Sequence, residues 1–388
     1  MQAVAPTVAA GWGGMLGGWV GGSYQRVRRF IADHRKGLLC LAVTGGVAAY
    51  AVYRVGRGYR ELQEASLHRL RLRGAFESTQ STCAGTVGSL VLKLNDAVLR
   101  LQAPKDGQDR YALWDHCKTQ TYARLVVGVY GVVLLSTFLR VQVNILGRYL
   151  YLETLIATDP SARFRIPLDV AIPQDTQKRY LGYSEYVVHT GLPQLVALVQ
   201  ATAHQVLSSY PLQRQCTYDD VLAIIDAMRR KMEQPLSPDS DETVLNTFLL
   251  PQEDAEGSSG GNGKRHRDHK LTMLINETRD VLESSEFNQI LSRCLNLSFY
   301  AMAHQLHSCF PRQEQQALAS SVDAERDLAA PAATAEPALP MAKLMPLVNK
   351  QVSQLLASDP NPFLATVLHD DQLRQYAFDL FTAFGADE

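Results

Sequence analysis

The chain has 388 residues, 46% hydrophobic and 20% charged, with a formal net charge of −1. That length supports one large core or two ordinary domains, and the charge balance excludes the global basic field of a general nucleic-acid binder. The six cysteines are scattered with no CxxC pair, which excludes a disulfide scaffold or four-cysteine zinc site and reads as free thiols in a reducing compartment.

Met1 to Gln25 carries no charge and is rich in glycine ("GWGGMLGGWVGG", Gly11 to Gly22). Its small-xxx-small spacings fit either helix association in a membrane or a disordered head. A basic stretch, "RVRRFIADHRK", follows. Then comes "GLLCLAVTGGVAAYAVY", the 17 uncharged residues Gly37 to Tyr53. A secretory signal would place a small-residue cleavage site after the apolar run, whereas Arg54, Arg57 and Arg60 stand there. A rise of roughly 25 Å, basic flanks, Tyr50 and Tyr53 near one end and no amphipathic period favour a short membrane span over a buried soluble helix. The organisation expected is a targeting segment over 1–36, an anchor over 37–55 and a helical domain over 56–388.

"YRELQEASLHRLRL" from Tyr59 reads as a charged helix leading away from that anchor. Val87, Leu90, Val91, Leu94, Val98 and Leu101 then keep helical spacing until "APKDGQD" breaks it. "RLVVGVYGVVLLSTFLR" (Arg124 to Arg140) raises the question of a second span. Its 15 uninterrupted apolar or small residues fall short of the roughly 20 that a span needs, and Arg140, Gln142 and Asn144 continue it, so a central core helix is expected. Further helical faces run through Leu192–Val206, Val221–Met232, Leu271–Leu282, Ile290–Leu295 and Leu373–Phe384. No succession of short alternating runs appears, so the class is all-α, a single large bundle of long helices preceded by one N-terminal transmembrane helix. Polar Gly/Ser-rich and Ala/Pro-rich stretches near 237–270 and 311–338 read as flexible loops.

Motifs for catalysis are missing: there is no Walker sequence, no GxSxG and no HExxH. His304, His307 and Cys309 offer too few ligands for zinc, and the "KRHRDHK" run reads as a solvated loop. No enzyme activity, cofactor, metal site, nucleic acid or small-molecule substrate is expected. The informative stretch is "DRYALWDHCKTQTY", where Tyr111, Leu113, Trp114 and Cys117 sit among polar residues. From composition alone Trp114 is either a core residue or an exposed anchor for a partner, since an aromatic offers large apolar area at small entropic cost.

"FESTQSTCAGTVGSLVLKL" (Phe76 to Leu94), "LRVQVNILGRYLYLE" (Leu139 to Glu153), "INETRDVLESSEFNQILSRCLN" (Ile275 to Asn296) and "LPMAKLMPLVNKQV" (Leu339 to Val352) together resemble the peroxin-3 family of peroxisomal membrane biogenesis factors. The resemblance runs from about Val27 to the C-terminus and is weak in the two loops. It implies a non-enzymatic helical domain facing the cytosol, tethered to the peroxisomal membrane by one helix. It also implies a groove that docks the amphipathic N-terminal helix of peroxin-19, the receptor that brings new membrane proteins. On that resemblance the groove tryptophan is Trp114, its neighbours are Leu101, Lys105, Arg110, Tyr111 and Cys117, and the lysine of the LPxAK motif is Lys343; Leu113, beside Trp114, joins them as a candidate contact from the reading of the residues alone. Arg110, Tyr111 and Cys117 depart in type from the family pattern, which puts the fine fit in question. The alternative reading is a membrane-anchored organelle tether or adaptor that binds an unrelated amphipathic helix.

Overall fold

The structure, a computed structural model, describes residues 35–99, 110–158, 170–234, 244–251, 268–310, 338–357 and 361–383. The uncharged head, Leu101 and Lys105 lie outside the described residues. The chain forms two compact units, residues 1–72 and 73–388. Helix α1 (Arg35–Leu99) includes the apolar run Gly37–Tyr53, of which the side chains before Tyr50 are not described. In the first unit Tyr50, Tyr53, Val55, Leu67 and Leu70 are exposed.

The second unit is built on α2 (Arg110–Thr158), which is buried on every side from Thr121 to Gln142. It is the one described helix long and apolar enough to cross a membrane, yet 94% of its most apolar window is buried inside the protein. The core reading of Arg124 to Arg140 follows from that burial. A helix without a polar face must be covered all round, and α2 is covered by α5 (Leu192–Leu207), α8 (Ser285–His307), α9 (Met341–Leu355) and α11 (Asp371–Thr382). The stretch of α1 from Phe76 to Val98 also lies against it. There Gly131 is the close-approach residue: a Cβ at this position would stand 2.8 Å from Leu94 Cδ1.

Local sequence starts these helices. Thr217 and Asp220 form a capping box for α6 (Tyr218–Met232), Asp268 caps α7 (His269–Glu283) and Ser284 caps α8. The expected faces are the buried ones: Leu195, Val199 and Ala203 on α5, Leu271, Leu274 and Thr278 on α7, Leu373, Ala377 and Phe381 on α11. Short helices α3 (Gln174–Leu181), α4 (Tyr183–Tyr186) and α10 (Pro362–Leu368) complete the all-α unit.

Two features depart from expectation. Part of the loop expected near 237–270 is core: Val244–Phe248 forms a 3-10 turn, and Leu245, Phe248 and Leu249 are buried. The polar residues on both sides outweigh this short apolar island in a reading of composition. Gln215–Cys216 (β1) and Leu339–Pro340 (β2) also pair as a minimal antiparallel ladder, too short to leave an alternating pattern.

Gly191 ends a π-helical turn (Val187–Gly191) pressed against the Phe248 carbonyl, with no room for a Cβ. Gly191→Ala is expected to destabilise by about 1–3 kcal/mol, despite the better helix propensity of alanine, in a thermal melt. Asp370 caps α11 through Leu373 N–H (3.0 Å) and receives Arg293 Nη2 at 2.9 Å. Burial would raise its pKa, but the bonds from Arg293 and Leu373 and the guanidinium charge hold it below the usual carboxylate range. Its stabilisation is therefore complete above the unfolded value of about 3.9 and is lost as pH falls through the lower native one. Asp370→Asn keeps a cap acceptor. It is expected to lower the melting temperature at pH 7 by a few degrees and to converge on wild type in acid, in melts recorded from pH 7 to 3.

Candidate functional site

The first turns of α2 project from the core with their side chains in water. Arg110 is exposed, Tyr111 is 70% exposed, Leu113 is half-buried and Cys117 is exposed. Trp114 is 47% exposed. Lys118 sets the roll of this end of the helix. Only 1% exposed, it gives one hydrogen bond to Asp115 (2.6 Å) and two to the carbonyls of Leu207 (3.1 Å) and Tyr210 (2.8 Å). Those bonds satisfy a cation that burial would otherwise penalise by several kcal/mol. The bond to Asp115 is an ion pair in which the two charges offset each other.

The facing wall is α9. Its first backbone donors have no intrahelical acceptors and are taken by the stretch that leads into β1: Met341 N–H by the Arg214 carbonyl (3.0 Å) and Ala342 N–H by that of Leu212 (3.2 Å). The ladder of β1 and β2 ends immediately before them. This anchoring places Lys343 in the exposed first turn of α9.

Between the two helices runs an open trough of about 430 Å³. Trp114, His116, Cys117, Gln120, Thr121 and Arg124 line it from α2, and Ala342, Met345, Pro346 and Asn349 from α9. Thr121 turns its hydroxyl back onto the Cys117 carbonyl (2.8 Å). Its floor is tied by Arg124 Nη1, which donates to Asn349 Oδ1 at 3.2 Å. Burial lowers the pKa of that guanidinium.

Of the residues singled out in the sequence, the structure brings Trp114 and Cys117 into the trough. Arg110, Tyr111 and Leu113 lie in the same two turns without lining it, and Lys343 stands beside Ala342 at its edge. Met345, Pro346 and Asn349 were not anticipated. Their spacing from Ala342 marks one helical face, but nothing local says that this face meets Trp114, more than 220 residues away in sequence. Among the described residues no group of three or more His, Cys, Asp or Glu side chains could hold a metal ion, and Cys83, Cys117, Cys216, Cys294 and Cys309 are free thiols.

The model of the family described as peroxin-3 matches residues 99–383, most of the chain including both trough walls. The chain belongs to the peroxin-3 family. Among its relatives, the peroxisomal biogenesis factor 3 of Mus musculus is 27% identical over 92% of this chain and 97% of its own length. The protein of that name from Homo sapiens is 27% identical over 94% and 98%. The peroxisome biogenesis factor 3 of Dictyostelium discoideum is 22% identical over 92% and 93%. The family match thus extends across the α1–α2 junction as well as the bundle.

Because about half of its surface is in water, Trp114→Ala is expected to destabilise by about 1–3 kcal/mol, less than the roughly 3–5 kcal/mol of a fully buried tryptophan. A cooperative melt a few degrees below wild type would show this, and a drop of many degrees would make Trp114 a core residue.

Proposed function

We propose that this chain is a docking receptor in the peroxisomal membrane for peroxin-19 and the new membrane proteins that it carries. Peroxisome biogenesis is the role that the names of its relatives carry. The finer reading rests on one observation: a half-exposed tryptophan lines a trough with Ala342, Met345 and Pro346, its polar residues interspersed, between two firmly anchored helices. Such a trough suits an amphipathic helix whose apolar residues recur at i, i+3, i+4 and i+7. Covering the exposed part of Trp114, roughly 100 Å², is worth about 2–3 kcal/mol before the costs of association. Arg110 and Lys343 at the edges, with Lys105 on the family resemblance, favour an acidic rim on the docked helix and act on the rate of encounter more than on affinity. Tyr111, Leu113 and Cys117, with Leu101 on the family resemblance, are the further residues expected to meet the docked helix around Trp114.

In this reading Gly37–Tyr53 crosses the membrane once and touches lipid, and the helical domain faces the cytosol, where a soluble carrier approaches. The work is recognition and handover, with no bond made or broken.

The test is calorimetry on the full chain in lipid nanodiscs, titrated with the N-terminal helix of peroxin-19. Wild type is expected to bind, and Trp114→Ala to weaken binding at least about tenfold, the scale of a hot-spot truncation. Equal binding by a folded Trp114→Ala variant would sink the reading.

A further inference from the structure

Helix α9 carries Pro346 in its second turn. An interior proline is less favourable than alanine by about 3 kcal/mol and offers no N–H to the carbonyl four residues before it. That carbonyl belongs to Ala342. Ala342 and Pro346 both line the trough, and a helical C=O points along the axis toward residue i+4. The acceptor therefore lies in the trough wall, between an exposed alanine and the proline ring.

Two side-chain amide acceptors in the trough already take bonds from within the chain, while the exposed His116 imidazole is a second kind of acceptor in its lining. Asn349 Oδ1 accepts from Arg124 (3.2 Å), and Gln120 Oε1 accepts from Gln200 Nε2 (3.1 Å). The Thr121 hydroxyl donates to the Cys117 carbonyl, so its proton is taken and it meets a ligand with its methyl group or an oxygen lone pair. Trp114 and Met345 are apolar. A local rule is thus broken where a partner would lie, and sites of that kind are where function is to be sought.

We infer that the Ala342 carbonyl, released by Pro346, is a specificity element of the trough: it accepts a hydrogen bond from a hydroxyl or amide side chain on the docked helix. A neutral donor is specified because Arg110 and Lys343 stand nearby and disfavour a lysine or arginine. The donor sits within one turn of the apolar residue that covers Trp114, because the Ala342 and Trp114 walls face each other across one trough. This inference rests on the docking reading above.

The test uses the full chain in nanodiscs as wild type, Pro346→Ala, Pro346→Leu and Trp114→Ala. Each is titrated with the peroxin-19 helix and with versions in which each Ser, Thr, Asn or Gln is replaced by alanine. Both proline variants restore the N–H that closes the bond to Ala342. Both are expected to melt higher than wild type and to bind about five- to tenfold more weakly, the scale of one hydrogen bond. One peptide substitution is expected to cost the same factor against wild type and nothing against Pro346→Ala, the signature of a direct pair in a double-mutant cycle. Wild-type affinity in Pro346→Leu would assign the effect to apolar contact with the ring and overturn the inference. A scan in which no donor couples to Pro346 would overturn it too. Unaltered binding by Trp114→Ala would instead bring down the docking reading, so the two failures are distinguishable.

Discussion

The second unit depends on how α2 disposes of its own buried cations. A helix surrounded by core has no solvent into which an arginine can extend, and an unpaired guanidinium there costs several kcal/mol. Arg124, Arg140 and Arg148 are all buried, and each reaches into the C-terminal third of the chain. Arg124 bonds Asn349 on α9 (3.2 Å), and Arg140 bonds the Leu368 carbonyl at the end of α10 (3.0 Å). Arg148 bonds the carbonyls of Leu380 (3.4 Å) and Ala383 (3.3 Å) at the end of α11 and pairs with Glu277 of α7. The last two satisfy orphan carbonyls at helix C-termini, where a cation is also favoured by the helix dipole. Three helices distant in sequence are thereby fastened along one core rod.

The trough is a by-product of this fastening, and in the proposed reading it serves recognition. Arg124 joins α2 and α9 at its floor, while Lys118 and the backbone bonds of Met341 and Ala342 hold the two helices farther out. With the walls held at several points, a docked helix would meet a preformed surface, and less of its binding energy would be spent on ordering the receptor. The exposed polar turns from Arg110 to Cys117 are then intelligible: they are the part of α2 that the bundle leaves uncovered.

The helices were legible in the sequence wherever one face alone is buried. Leu195, Val199 and Ala203, or Leu271, Leu274 and Thr278, repeat at the helical period because water lies opposite them. The core position of α2 was legible for another reason, since its uncharged run leads straight into Arg140, Gln142 and Asn144. The apolar island Leu245–Leu250 was missed because it is brief and flanked by polar, Gly/Ser-rich sequence. Trp114 stood out as an aromatic with few apolar neighbours at helical spacing, which is how a half-exposed aromatic reads in one dimension. Met345, Pro346 and Asn349 carried no such mark.

By itself the sequence determined the class, most of the buried faces and, through four separated blocks, the family to which the chain belongs. These properties are periodic or local, set by a residue and its neighbours three or four positions away. Which two helices form the trough was decided only by tertiary structure. The walls are joined by bonds such as Arg124 to Asn349, which span more than 220 residues, and no local pattern encodes a partner at that distance. The same holds for Lys118: a lysine in a polar stretch reads as solvated, and only the fold supplies the two carbonyls that bury it.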